Sequence, residues 1–273
     1  MKIAQFTSEG RIRLGIIEIS GFITPLDFEG DMLDFLQTNC RCRTTGGPIP
    51  VEDVSFAPPL SNPSKIIGIG RNYFEHISEG NRDIPKTPMI FSKFTTCLTG
   101  HRYPIRWSPD LTEKVDFEAE LAVIIGREAC QVREKDAMDV VFGYTCANDV
   151  SARDLQYADG QWVRGKSLDT FCPLGPWIVT RDDIPDPHSL DITCRLNGEI
   201  MQSSNTEKMI FKIPYLISYL SRSFTLKTGD VILTGTPHGV GAYQDPPLFM
   251  KNGDEVIVEI GSIGRLENFC QTV

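Results

Sequence analysis

The chemistry open to this chain starts from two acidic residues placed two apart, Glu118 and Glu120, inside the stretch Val115 to Gly126. From Phe117 to Ile125 the residues are largely apolar and β-branched and run up to a glycine, the pattern of a buried strand. Side chains two apart on a strand share one face, so the two carboxylates project together. Side by side against such an apolar run they repel each other unless positive charge lies between them. A divalent cation that prefers oxygen ligands is the economical solution. The other reading is a strand whose polar face meets solvent and pairs with Lys or Arg across the sheet.

Four further segments offer partners. Asp149 begins a polar stretch where the apolar run Phe142–Ala147 ends. It either caps a helix or comes off the strand end as a third carboxylate, completing an octahedral magnesium or manganese site with waters. His76 and Glu79 are three apart, so one helical turn sets them on one face. A carboxylate beside an imidazole fixes its tautomer and raises its basicity, as a general base requires. The glycines and prolines around this pair give a short, loosely anchored segment suited to a lid, from about Arg71 to Lys86. Lys166 stands between a glycine and a serine in the mixed run 160–176, read here as a loop; it either faces solvent or reaches the acidic site to stabilise negative charge. The run 229–241 delivers a glycine-rich loop whose N–H groups suit an anion such as a carboxylate, without the Gly-x-x-x-x-Gly-Lys-Thr pattern of a nucleotide site.

The elements that position these residues follow from punctuation and period. Short strands are expected at Ile3–Phe6, Ile12–Ile19 and Phe22–Pro25, with turns at Glu9-Gly10 and Ser20-Gly21. A helix capped at Asp31 is expected to run to Asn39. Proline-rich punctuation at 58–63 divides a small N-terminal accessory domain, residues 1–60, from a catalytic domain, residues 61–273. Helices are expected at Glu134–Val141 and Ile213–Leu220, a hairpin turn at Asn197-Gly198, and closing strands at Val256–Ile260 and Gly264–Phe269. No internal repeat or low-complexity tract is visible.

A length of 273 residues with 41% hydrophobic and 23% charged content is that of an ordinary globular protein with a full core. The net charge of −9 argues against general affinity for nucleic acid or anionic lipid, while leaving room for an anionic substrate in a locally cationic cleft. Eight scattered cysteines show no Cys-x-x-Cys spacing; Cys40-x-Cys42 is read as a pair of reduced thiols. With no leader-like N-terminus and no apolar run of membrane-spanning length, the expectation is a soluble cytoplasmic protein.

In order along residues 63–270, Asn72-Tyr73-x-x-His76-x-x-Glu79, Glu118-x-Glu120, Asn148-Asp149, Lys166-Ser167-x-Asp169-Thr170-x-x-Pro173-x-Gly175-Pro176 and Thr234-Gly235-Thr236-Pro237 resemble the fumarylacetoacetate hydrolase superfamily, in its acylpyruvate hydrolase and oxaloacetate decarboxylase-like branch. The resemblance implies an α+β fold with a mixed β-roll or β-sandwich core, a homodimer, and Mg2+ or Mn2+ as cofactor. It implies that Glu118, Glu120 and Asp149 are metal ligands, His76 with Glu79 a water-activating dyad and Lys166 a charge stabiliser. Arg153, Gln156, Thr236 and Gly235 are implied as substrate-binding groups.

The activity so implied is hydrolysis of the C–C bond of a 2,4-dioxo acid, acylpyruvate or fumarylpyruvate-like, through a pyruvate enolate held at the cation. The alternative is an oxaloacetate decarboxylase, or an isomerase or tautomerase of 2-oxo acids, that uses the same enolate. A non-catalytic binding protein is a third reading, against which the complete acidic set argues.

Overall fold

The computed structural model describes residues 1–8, 10–38, 43–80 and 83–273. The Glu9-Gly10 turn and Cys40 with Cys42 therefore lie wholly or partly outside the described residues, while the helix expected to run to Asn39 stops at Leu36, with Gln37 as its C-cap. The fold is mixed α+β, mostly sheet with few helices. Its backbone is one large sheet running Ile49–Pro50, Phe22–Pro25, Arg11–Ile17, Lys2–Ser8, Cys172–Thr180, Val141–Asn148, Ala119–Ile125, Val231–Leu233, Ile66–Gly70, Met89–Lys93. A five-stranded sheet of Glu199–Asn205, Asp191–Leu196, Glu255–Ile260, Gly264–Thr272 and Pro104–Trp107 packs against it. The strand Ala119–Ile125 is buried at every residue, so its near-continuous Leu, Val and Ile content serves two covered faces rather than one.

Residues 1–60 extend the large sheet: Lys2 pairs with Val179 and Ile3 with Ile178. Their strands run Lys2–Ser8, Arg11–Ile17 and Phe22–Pro25, and Asp31 caps a short helix, Met32–Leu36, through a capping box with Asp34. Gln5 ties this unit together, accepting from the Met32 N–H at 2.5 Å and donating to the Pro58 carbonyl at 2.6 Å.

Three local expectations change. Glu134–Val140 is a 3-10 helix that buries only Ala137 and Val140, too little apolar face to hold a full α-helix. The run 160–176 is no loop throughout: Val163–Lys166 forms a short helix, and Cys172–Thr180 is a strand in the middle of the large sheet. Its prolines, which argue against a strand in sequence, sit where the register against Val141–Asn148 shifts between Tyr144 and Cys146 and where Pro173 lies beside Thr99. Glu118 stands just before the strand that carries Glu120, in a break after the two-residue strand Val115–Asp116. The expected turn at Asn197-Gly198 is present, with both residues at positive φ (52° and 85°), as a two-residue hairpin turn between twisted strands requires. The helix Ile213–Ser223 buries Ile213, Leu216, Ile217 and Leu220 along one stripe.

Candidate active site

Glu118, Glu120 and Asp149 converge: each offers a carboxylate oxygen, all lie within 4.8 Å of one another, and all three residues are buried. The backbone explains why. Glu120 lies on the strand proper, opposite Ala147. Glu118, off the ladder, is gripped by the end of the neighbouring strand, its N–H donating to Asn148 Oδ1 at 2.9 Å and its carbonyl accepting from the Asp149 N–H at 2.9 Å. The strand end thus fixes the third carboxylate and the first together.

Charge around the trio is nearly, not wholly, balanced. Lys166 Nζ donates to Glu118 at 2.8 Å and to Asp149 at 2.7 Å; Lys93 Nζ donates to Asp149 at 2.6 Å. Arg153 contacts Glu118 at 2.7 Å and Asp116 at 2.8 Å. Counting Asp116, four buried carboxylates face three buried cations in this cluster. Among the described residues Glu120 is the one of the four left with no ion pair, accepting instead from the Gly235 N–H at 2.7 Å. Burial alone would raise the Glu118 carboxyl, but Lys166 and Arg153 outweigh it and hold Glu118 down at about 2. Burial and the charges of Asp149 and Glu118 push Glu120 well above the usual carboxylate range. A crowded set of hard oxygen donors with one uncompensated negative charge is what a small divalent cation fits.

These residues open on a small cleft with a free interior of about 50 Å³, lined by Glu118, Glu120, Lys166, Arg153, Gln156, Thr236 and, facing them, His76. Asp149, Glu79 and Gly235 stand a layer behind its wall. His76 lies on the short helix Phe74–Glu79, its Nδ1 3.4 Å from Glu79 Oε2, which leaves Nε2 as the nitrogen for the cleft. Glu79 in turn accepts from the Gly239 N–H at 3.0 and 3.2 Å. The helix is better anchored than its sequence implies: Asn72 donates to the carbonyls of Phe211 and Thr234, and Tyr73 and Ile77 are buried.

The four residues expected at the substrate differ in what holds them. Gln156 accepts from Arg153 Nη1 at 3.0 Å, and Thr236 Oγ1 accepts from Gln202 at 2.9 Å, yet both still face the cleft. Arg153 is committed to Asp116 and Glu118, so it positions a carboxylate before it meets any ligand. Gly235 spends its N–H on Glu120 rather than standing free for an anion, and its φ of 99° with Asn72 packed 2.7 Å from a built Cβ explains the glycine.

Lys93, Asp116 and Gln202 belong to the site without having been read from sequence. Lys93 had a usable signal: in Met89–Lys93, alternation puts it on the same face as buried Phe91. Asp116 had one too, lying two before Glu118 in the acidic stretch. Gln202, which joins the Ala119 N–H to Thr236 across the second sheet, had none.

The family described as Fumarylacetoacetate (FAA) hydrolase C-terminal matches residues 65–271. A relative named oxaloacetate tautomerase FAHD2A, mitochondrial, from Bos taurus is 45% identical over 264 residues, covering 93% of this chain and 83% of that protein. Among solved structures, a fumarylacetoacetate hydrolase from psychrophilic Exiguobacterium antarcticum superposes with a TM-score of 0.89 at 35% identity, each chain covered to 100%. A maleylpyruvate hydrolase from Sphingobium sp. SYK-6, in complex with manganese (II) ion and pyruvate, superposes with a TM-score of 0.79 at 30% identity, covering 100% of this chain and 99% of that one.

Proposed function

The chain belongs to the fumarylacetoacetate hydrolase family, and from that premise we propose that it is a divalent-metal-dependent enzyme interconverting the keto and enol forms of oxaloacetate or a close 2-oxo acid. This reading takes up the alternative left open by the sequence. The observation that carries it is the convergence of the buried Glu118, Glu120 and Asp149, the first two lining a small cleft that His76 also lines; similarity to an oxaloacetate tautomerase over 93% of the chain supports the substrate.

Glu118, Glu120 and Asp149 would hold Mg2+ or Mn2+, which when bound supplies a Lewis acid that polarises the 2-oxo group and acidifies C3. His76 Nε2 takes the proton from C3, and Glu79, behind Nδ1, holds the ring in that tautomer and stabilises its charged form. Lys166 spends two of its three N–H donors on Glu118 and Asp149, leaving one to donate to the enolate oxygen as charge develops. Return of the proton to oxygen completes the exchange. Thr236 and Gln156 line the cleft where the acid's C1 carboxylate needs donors.

C–C hydrolysis of a 2,4-dioxo acid is the second reading. It is favoured by the intact His76–Glu79 pair, which can equally activate a water for attack at C4, and by the structural likeness to two hydrolases. Following enol absorbance with oxaloacetate and cleavage of acetylpyruvate, each with Mn2+, decides between them. Fast oxaloacetate equilibration with slow acetylpyruvate cleavage is expected, and the reverse ranking would replace the first reading by the second. No helix among the described residues is long and apolar enough to cross a membrane. The cytoplasm is the compartment proposed here, against the mitochondrial name of the cattle relative, and cell fractionation tests it. The proposed assembly is a homodimer, open to test by sedimentation.

A further inference from the structure

Resting on the reading of a 2-oxo acid substrate, we infer that Arg71 is a specificity residue that binds a second, distal carboxylate, so that the cleft selects four-carbon dicarboxylic 2-oxo acids over their monocarboxylic counterparts. Three cationic side chains line the cleft, and two of them are already committed: Arg153 to Asp116 and Glu118, Lys166 to Glu118 and Asp149. Arg71 alone of the three has no carboxylate and no hydrogen-bond partner among the described residues. Among the described residues its guanidinium lies over the Trp162 ring, whose centroid is 6.0 Å from the guanidinium carbon.

The backbone aims it there. Arg71 follows the last residue of the strand Ile66–Gly70 at a φ of 57°, a left-handed conformation that costs a non-glycine residue energy and persists where its surroundings impose it. Trp162 packs on the preceding residue so closely that a Cβ at Gly70 would stand 2.6 Å from the indole. Trp162 also packs beside Phe91, ring centroids 5.5 Å apart and planes tilted by 58°, so the guanidinium lies over an aromatic wall of the cleft. A guanidinium over a ring face keeps N–H groups free, and their planar fork matches a carboxylate. Glu118, Glu120 and Arg71 therefore line one cleft with opposite demands. The trio takes the end of the ligand that chelates a cation, and Arg71 takes a terminal anion.

The test uses paired ligands on the Mn2+-loaded protein. Malate and 2-hydroxybutyrate share a 2-hydroxy acid head and differ in a terminal carboxylate against a methyl; oxalate reports the head site alone. By calorimetry, wild type is expected to prefer malate to 2-hydroxybutyrate by about 10–100-fold, the worth of one charge-assisted pair. Arg71→Gln should erase that preference and raise KM for oxaloacetate far more than it lowers kcat, with oxalate affinity nearly unchanged. Arg71→Lys should restore part of it, since the charge returns without the fork. Equal affinity for the two acids in wild type, or an equal loss of malate and oxalate in Arg71→Gln, overturns the assignment. The two readings fail separately. A protein that prefers malate through Arg71 but leaves oxaloacetate untouched refutes the tautomerase and keeps the subsite. One that equilibrates oxaloacetate with KM unmoved by Arg71→Gln does the opposite.

Discussion

On one side of the cleft Lys166, Lys93 and Arg153 meet Glu118, Asp149 and Asp116 at 2.6 to 2.8 Å, all of them buried and most held by the ends of paired strands. On the other side His76 and Glu79 stand 3.4 Å apart on a single helical turn, partly exposed at 13% and 19%. The difference matches the tasks proposed for the two sides. A hard cation needs its donors fixed before it arrives, because any rearrangement is charged against its affinity. A group that must take and return a proton needs reach and a ring free to adjust, and catalytic hydrogen bonds of this kind tighten when substrate is bound.

If that division holds, the fixed side breaks hardest. Glu118→Gln removes a charge that holds the cation and also leaves Lys166 and Arg153 with fewer acceptors. Mn2+ affinity measured by calorimetry should fall severely, and oxaloacetate turnover by about 10³-fold or more, the scale of losing a Lewis acid worth several kcal/mol. Chelation should do the same to wild type, with recovery on adding Mn2+. Retained Mn2+ affinity in Glu118→Gln would remove the trio from the metal site.

His76→Ala tests the other side. The rate should drop by about 10²–10⁴-fold while affinity for Mn2+ and oxalate stays nearly intact. Parallel loss of metal binding would mean that the two sides are not separable. Glu79→Gln should lose less, about 10-fold, because the imidazole stays but its orienting charge goes. A loss equal to that of His76→Ala would make Glu79 a proton acceptor in its own right.

The same division explains what the sequence disclosed. The carboxylate trio, the His76–Glu79 pair and Lys166 could be singled out in the sequence because such groups are rare in apolar or glycine-rich settings and the motifs follow in order; the fold adds that the three carboxylates converge. Strands with regular punctuation, such as Phe22–Pro25, were legible for the reason that turns have distinct residues. What was not legible depends on partners far along the chain. Residues 172–176 read as part of a loop until Val141–Asn148 and Leu98–Thr99 supply the ladders that outweigh its glycine and prolines. Arg153 reads as a free cation until Asp116 is folded against it, and Gly235 as an anion donor until Glu120 takes its N–H. Local sequence names a group's chemistry; only the packed chain says whether that group is already spent.

The smallest effect should come from the residue that joins the two sides. Tyr243 ends the turn Gly241–Tyr243, whose Gly241 and Ala242 N–H groups donate to Asp116 at 2.8 and 2.9 Å, so the turn is anchored on the carboxylate side. Its ring lies against His76, centroids 5.7 Å apart at 41°, on the adjustable side. A ring contact of this kind contributes about 0.5–1.5 kcal/mol, enough to bias the orientation of the imidazole without locking it. Tyr243→Ala should therefore lower kcat by only a few-fold, up to about tenfold, leaving Mn2+ affinity unchanged because Asp116 is held by backbone N–H groups. Tyr243→Phe keeps the ring and loses only the hydroxyl; its kcat should match wild type. If Tyr243→Phe proves as damaging as Tyr243→Ala, the hydroxyl rather than the ring serves the reaction. The loose side of the cleft would then carry a second polar group, and its freedom to adjust would be narrower than the 3.4 Å separation of His76 and Glu79 implies.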